Sequence, residues 1–512
     1  MNTNKLGFGL GVVAFLLFGL WAIVEITTAR FNGIGKFYQI VCGMTVLSSF
    51  LMPRFGLYAL LIGILYVDLL KRLMVFADRL VFTDLYYILG LPAGIAVAFT
   101  SSVFLRKFLE PGRFPPKLIF SIILPVLIIC AGALPYLGQP ATLVKKVGSN
   151  PVFSILILSL PLLLRDPRDV SKFISWVVIA MIPVGFYGIF QFFNGYSDFE
   201  VEYLYSGLTN VGFEGSLTDR DRPFSTLASP GEFSSAMALG ALMAVYMWMS
   251  SRHQIGEGRG KGKIFWLLIS AFLILACLSS MKRIPYSIIP TGLIGIIAFR
   301  SAKKTLFIYG AGVTAFFLLL VFPSEFRNFV LNPLFSEVEN VVGADGEFDR
   351  LTTTGTFNVR IENYQALLEP KTWSPFGLTD LEILEMGTTP HTLPLRLAVN
   401  YGYLPLAFGL LFGAIFMFNV HRALIRNRDP LAKESGILGF SFIAGITVAS
   451  ILGSNTAGNI STGALFWFGV ALTLRASVLQ PDALREEVIE DEDLNEKGRE
   501  GVLRLNSPSA PF

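Results

Sequence analysis

The chain has 512 residues, of which 53% are hydrophobic and only 15% charged, with a formal net charge of +4. A soluble domain carries about 25% charged residues, so long stretches of this chain cannot sit in water. That composition excludes a cytosolic enzyme, a secreted disulfide scaffold and a disordered regulator, and the modest charge is no nucleic-acid signature. Cys42, Cys130 and Cys277 each lie inside an apolar run, so the three thiols give neither a disulfide framework nor metal spacing.

In chain order, apolar runs lie near 6–26, 37–52, 55–70, 86–105, 118–136, 151–164, 173–193, 232–250, 264–281, 284–299, 305–322, 393–419, 436–453 and 459–476. They predict an all-α, polytopic transmembrane bundle of about 12–14 helices, each needing about twenty residues. The first run is longer than a signal-peptide core and reads as a retained anchor. Alternate short loops are basic. They hold Arg106, Lys107, Arg113 and Lys117; Arg165, Arg168 and Lys172; Arg252, Arg259, Lys261 and Lys263; Arg300, Lys303 and Lys304; and Arg422, Arg426, Arg428 and Lys433. The positive-inside rule puts these loops, and with them both termini, in the cytoplasm. The opposite face then carries two long, acid-rich loops, 194–231 and 323–392.

Five regions follow. They are N-terminal helices over 1–172, central helices over 173–322, a large outer loop over 323–392, C-terminal helices over 393–480, and an acidic tail over 481–512. The tail contains EEVIEDEDLNEKGRE, lacks a periodic apolar face and reads as disordered.

Topology separates the three histidines. His253 and His421 fall in basic loops, and only His391 lies on the outer face, where the second long loop re-enters the membrane. It either caps the helix that follows or serves as a base near neutral pH. Cations also gather at the outer ends of spans: Arg222, the Lys282–Arg283 pair, Arg360 and Arg396. Each could snorkel to lipid phosphate or pair with a loop acid. Together they suit an anionic, lipid-linked ligand, because guanidinium grips phosphate bidentately. Asp68 and Glu25, at helix ends, read as interfacial. There is no HExxH, CxxC, GxGxxG or P-loop pattern, so any reaction is expected to need neither metal nor nucleotide cofactor.

Three segments resemble the bacterial O-antigen ligase and O-antigen polymerase superfamily. The strongest runs from Arg360 to Gly409. It holds Arg360, Tyr364, the Pro375–Gly377 turn, His391 with Thr392, and Gly402 with Pro405. RPFSTLASPGEFSSAMAL, beginning at Arg222, is similar to the family's arginine segment leading into a helix. SSMKRIPYSII, with Arg283, is similar to its Ser-Arg stretch. The chain departs from the pattern at Thr392, at Asn400–Tyr401 and at Ser229–Glu232.

The resemblance implies a GT-C-like bundle with a periplasmic domain of short helices in the bacterial inner membrane. It implies transfer of a glycan from undecaprenyl diphosphate to a lipid or glycan acceptor by an inverting, metal-independent reaction. His391 would be the general base, and Arg222, Arg283 and Arg360 would bind the donor diphosphate. Tyr364 and Trp373 would stack on sugar faces. A flippase and a chain-length regulator would be partners in such a pathway. The competing expectation is a transporter, since polar positions and proline-broken spans such as Pro285–Pro290 also suit one.

Overall fold

The computed structural model describes residues 34–76, 84–109, 116–133, 147–148, 151–164, 166–206, 222–250, 259–280, 282–298, 363–375, 377–378, 382, 392–426, 430–452 and 459–478. Among these residues there is no strand. The helices are α1 (Ile34–Leu51), α2 (Pro53–Phe76), α3 (Asp84–Leu109), α4 (Pro116–Ala133), α5 (Leu156–Leu163), α6 (Pro167–Asn194), α7 (Asp198–Tyr205) and α8 (Pro230–Ser250). They continue as α9 (Arg259–Ser279), α10 (Arg283–Tyr286), α11 (Ile288–Ala298), α12 (Leu393–Tyr401), α13 (Tyr403–Arg426), α14 (Pro430–Ile451) and α15 (Ile460–Val478).

Among the described residues four helices, α3, α6, α8 and α14, are long and apolar enough to cross a membrane, which marks the chain as a helical membrane protein. In α8, 83% of the apolar window is buried, and in α14 78%, against 44% in α3 and α6, so α8 and α14 form the centre. Phe99, Phe153, Phe233 and Phe442 are fully enclosed in the common core. In a bilayer, lipid is as apolar as leucine, so close backbone approach replaces the hydrophobic effect as the packing force. The contact of α14 with α15 shows it: a Cβ on Gly439 would lie 2.3 Å from the Gly469 carbonyl oxygen.

Local signals set several boundaries. Asp166 caps α6 by accepting the Arg168 N–H at 2.7 Å, with Pro167 at the first helical position. Ser229 does the same for α8, where its hydroxyl accepts the Glu232 N–H at 3.2 Å.

Three predicted spans are corrected. The run 151–164 is a 3₁₀ turn, Pro151–Ile155, leading into the eight-residue α5, which is too short to cross. The run 284–299 is broken at Ser287 into α10 and α11. The run 393–419 is two helices, α12 and α13, because Gly402 sits at φ +90° and ends the first. The predicted spans 6–26 and 305–322 lie outside the described residues, as do the acidic tail and most of the loop 323–392.

Side-chain contacts sort the helix ends into two groups. At one end, Arg54 pairs with Asp169 at 3.3 Å, Arg106 donates to the Leu51 carbonyl, and Arg475 donates to the Leu164 carbonyl. This end also holds Arg168, Lys172 and Lys433, all from loops predicted to share one side. At the other end lie the end of α2, α7, and the starts of α8 and α15.

The Gly402 break is a tertiary feature. Leu378 N–H donates to Val399 O at 2.7 Å, and Tyr403 N–H to Ser374 O at 3.0 Å, so the 374–378 turn packs on the α12–α13 junction. A Cβ at Gly402 would meet the Pro375 carbonyl oxygen at 2.2 Å. Gly402→Ala is expected to cost roughly 1–3 kcal/mol through forced left-handed geometry, with the clash added. Thermal unfolding of the purified protein in detergent reads this as a lowered midpoint, and an unchanged midpoint would contradict the packing.

Candidate functional site

The end of α2 carries Asp68, Lys71 and Arg72 in the sequence VDLLKRLMVF, with no water to receive them. Arg72 is 1% exposed and Glu200, on α7, is 0% exposed. Arg72 Nη1 donates to Glu200 Oε1 at 3.2 Å. The same guanidinium donates to the carbonyls of Ser225 and Leu227 and lies 4.2 Å over the Phe224 ring. A buried ion pair is tolerated when the remaining donors and lone pairs are also satisfied. Here they are: Glu200 Oε1 also accepts from Tyr187 OH at 2.9 Å and from Gln191 Nε2. Its Oε2 accepts from Ser197 N–H at 3.1 Å and Ser197 Oγ at 2.9 Å, the capping box of α7.

This network holds the segment 222–232 against the bundle. The Gln191 side-chain oxygen, Oε1, accepts the N–H groups of Phe224 at 3.1 Å and Ser225 at 2.6 Å. Ser225 adopts φ +53°, the one positive φ outside glycine among the described residues, and its hydroxyl donates to Val184 O at 2.6 Å. Thr226 inserts beside α2: its hydroxyl donates to Leu65 O at 2.6 Å, and its carbonyl accepts Leu69 N–H at 3.1 Å. Leu65 and Leu69 are a pair that an α-helix joins directly, so Thr226 docks on both partners of one helical turn of α2. Glu232 then accepts the Ser461 N–H at 2.9 Å in the first turn of α15, where a helix favours a carboxylate.

The predicted site residues divide as follows. Arg222 is half-buried at the entry of the pinned segment, and its carbonyl accepts Tyr196 OH at 2.7 Å. Arg283 opens α10, which packs against α8. Tyr364 hydroxyl donates to the carbonyl of Ile451 at the end of α14, which ties residues 363–366 to the bundle. Trp373 is 62% exposed, with its ring centroid 6.0 Å from that of Tyr403 and its indole N–H bonded to Leu367 O at 3.1 Å. His391 and Arg360 lie outside the described residues. Next to His391, Thr392 is fully buried, and its N–H donates to Asn363 Oδ1 at 3.4 Å.

These pieces share one end of the bundle. The α8 start is tied to the α15 start through Glu232 and Ser461. Ile288 lies against Gly445 of α14, whose end receives Tyr364. Residues 363–375 and 392–402, a broken helix (283–298) and a pinned loop (222–232) therefore converge there.

Two readings of the sequence are amended. Asp68, read as interfacial, is covered by protein rather than left to the membrane surface: it is 3% exposed and pairs with Lys71 at 3.3 Å, while Lys71 sits 5.0 Å over the Tyr203 ring. The structural importance of Lys71, Arg72, Glu200 and Glu232 went unread, although charges in an apolar run demand partners and are a visible signal. Among the described residues, no group of three His, Cys, Asp or Glu side chains is placed to hold a metal. No family model matches the chain, and no curated protein matches it.

Because Arg72 is enclosed, its role is to position the 222–232 segment rather than to touch a ligand. Arg72→Ala would strand the Glu200 carboxylate and free two carbonyls, at an expected cost of about 3–5 kcal/mol. Limited proteolysis should then cut between 207 and 230 much faster than in the parent protein. Equal cleavage rates would show that the segment is held by something else.

Proposed function

We propose that this protein is a membrane glycosyltransferase. It transfers or polymerises a glycan from a polyprenyl-diphosphate donor on the outer face of a bacterial inner membrane. The observation that carries this reading is the convergence of 222–232, 283–288 and the described residues 363–375 and 392–402 at one end of an apolar bundle. These are the three segments that resemble the O-antigen ligase and polymerase superfamily. The opposite end carries the basic loops, which favours an outward-facing site.

The chemistry follows from the donor. Cleavage of the anomeric C–O bond leaves a polyprenyl diphosphate on which negative charge grows in the transition state. Fixed cations aimed at that charge are the largest available catalytic contribution. Arg222, held on a segment pinned by four backbone and side-chain anchors, meets the requirement for preorganisation. Arg283 and Arg360 are proposed to complete the diphosphate grip. His391 accepts the proton of the attacking acceptor hydroxyl, and a single displacement inverts the anomeric centre. Tyr364 and Trp373 border the same region. The exposed Trp373 ring offers a sugar-stacking face, while the Tyr364 hydroxyl is committed to Ile451.

Purified protein in lipid, given polyprenyl-diphosphate-linked oligosaccharide without added metal, is expected to consume donor and yield longer lipid-linked glycans or an acceptor conjugate. His391→Ala should abolish turnover, a loss of at least 10²–10⁴-fold if the base is removed. Normal product from that variant would sink the mechanism. Arg222→Gln should weaken donor use, and Arg222→Lys should restore only part of it, because a point charge cannot reproduce the bidentate grip. Full restoration by lysine would argue against diphosphate binding at that position. Absence of any turnover together with solute flux through vesicles would favour the transport reading, for which the broken helices at Ser287 and Gly402 provide the structural motive.

A further inference from the structure

At the basic end, far along the helices from the pinned segment, the start of α2, the end of α3 and the end of α5 enclose a cleft of about 240 Å³. Its walls are Pro53, Arg54, Val103, Arg106, Lys107, Leu162 and Leu163. Three cations from two helices thus face one cavity. Arg106 Nη2 donates to the Leu51 carbonyl, which holds its guanidinium at the mouth. Arg54 bonds Asp169 at 3.3 Å with its own side chain 75% exposed, so it can turn toward the cleft without crossing protein. The neighbouring acid, Asp166, is turned to the Arg168 N–H in capping α6. Of the seven residues that line the cleft, three are cations and none is an acid.

The remaining walls are apolar. Met52 (55%), Phe55 (46%), Leu105 (47%) and Leu109 (70%), each within two residues of a lining residue along the chain, are exposed as well. A free phosphate ion would gain nothing from such surroundings. A phosphate attached to acyl chains would place its charge among the cations and its chains along these side chains.

We propose that this cleft is a specific site for the headgroup of an anionic phospholipid, with Arg54, Arg106 and Lys107 as the phosphate ligands. It lies at the opposite end from the site proposed for glycan transfer and does not depend on that activity. The bound lipid joins α2, α3 and α5 beside the core that holds Phe99, which packs on Gly56 in the first turn of α2.

The test uses the full-length protein, purified in detergent and stripped of lipid, with phosphatidylglycerol titrated in during native mass spectrometry. One phosphatidylglycerol per chain is expected to bind well above the statistical background, with phosphatidylcholine binding weaker. Arg106→Gln/Lys107→Gln should weaken phosphatidylglycerol binding roughly ten- to thirtyfold, the loss expected for two surface cations. If that variant does not yield monodisperse protein, Lys107→Gln alone should show a roughly fivefold loss. Unchanged phosphatidylglycerol affinity in the variants, or equal affinity for phosphatidylcholine, would overturn the site. Displacement of the lipid by low-millimolar inorganic phosphate would overturn the lipid assignment in favour of a soluble anion.

Discussion

An arginine and a glutamate enclosed in an apolar bundle cannot fall back on water, so every donor and lone pair they own must find protein. For Arg72 and Glu200 that demand organises one end of the molecule. Glu200 draws in Tyr187 and Gln191 from α6 and closes the capping box of α7. Arg72 reaches across to the carbonyls of Ser225 and Leu227. Through Gln191 the same pair fixes the Phe224 and Ser225 N–H groups, and the strained φ of Ser225 persists because its neighbours over-determine it. Remove the pair and the 222–232 segment loses most of its anchors at once. A replacement by matched apolar residues could be neutral for stability, as it often is for buried ion pairs. It could not aim carbonyls and N–H groups in the same way.

Irregular backbone is tolerated at membrane depth only where protein covers it. The interruptions in this fold obey that rule. On α2, Thr226 and Ser461 take the carbonyls of Leu65 and Ile64. The Ser287 break packs Ile288 onto Gly445, and the Gly402 break is covered by Ser374, Pro375 and Leu378. Both helix breaks lie near the end that carries Arg222 and Tyr364. The opposite end is built from regular helix termini and exposed cations, which fits a surface facing headgroups rather than a reaction centre.

Much of the helix pattern was legible before any coordinates. The runs at 37–52, 86–105, 173–193, 232–250, 436–453 and 459–476 correspond to α1, α3, α6, α8, α14 and α15 to within a few residues. Apolar length is a strong, local signal, and caps such as Asp166–Pro167 sharpen it. The failures are equally local in cause. Hydropathy averages over a window, so it could not see that Gly402 takes a positive φ or that 151–164 folds as a 3₁₀ turn and a two-turn helix. At the end of the bundle with the pinned segment, Arg222, Pro375, Gly377 and Gly402 were legible as pattern residues, and Gly402 packs on Pro375 and Gly377. Arg72, Lys71, Glu200 and Glu232 were not read, because each looked like an ordinary charge near a helix end.

The sequence by itself determined that this is an all-helical membrane chain and which loops are basic, because apolar length and lysine–arginine content are properties of segments. It also placed the candidate base, His391, and the candidate diphosphate ligands Arg222, Arg283 and Arg360, in segments that resemble one enzyme superfamily. Only the tertiary structure decided which charges are partners. Arg72 and Glu200 are 128 residues apart, and Ser461 and Glu232 are 229 apart. No periodicity or spacing encodes such pairs. They exist because burying one charge in an apolar bundle is prohibitive until the fold delivers the other.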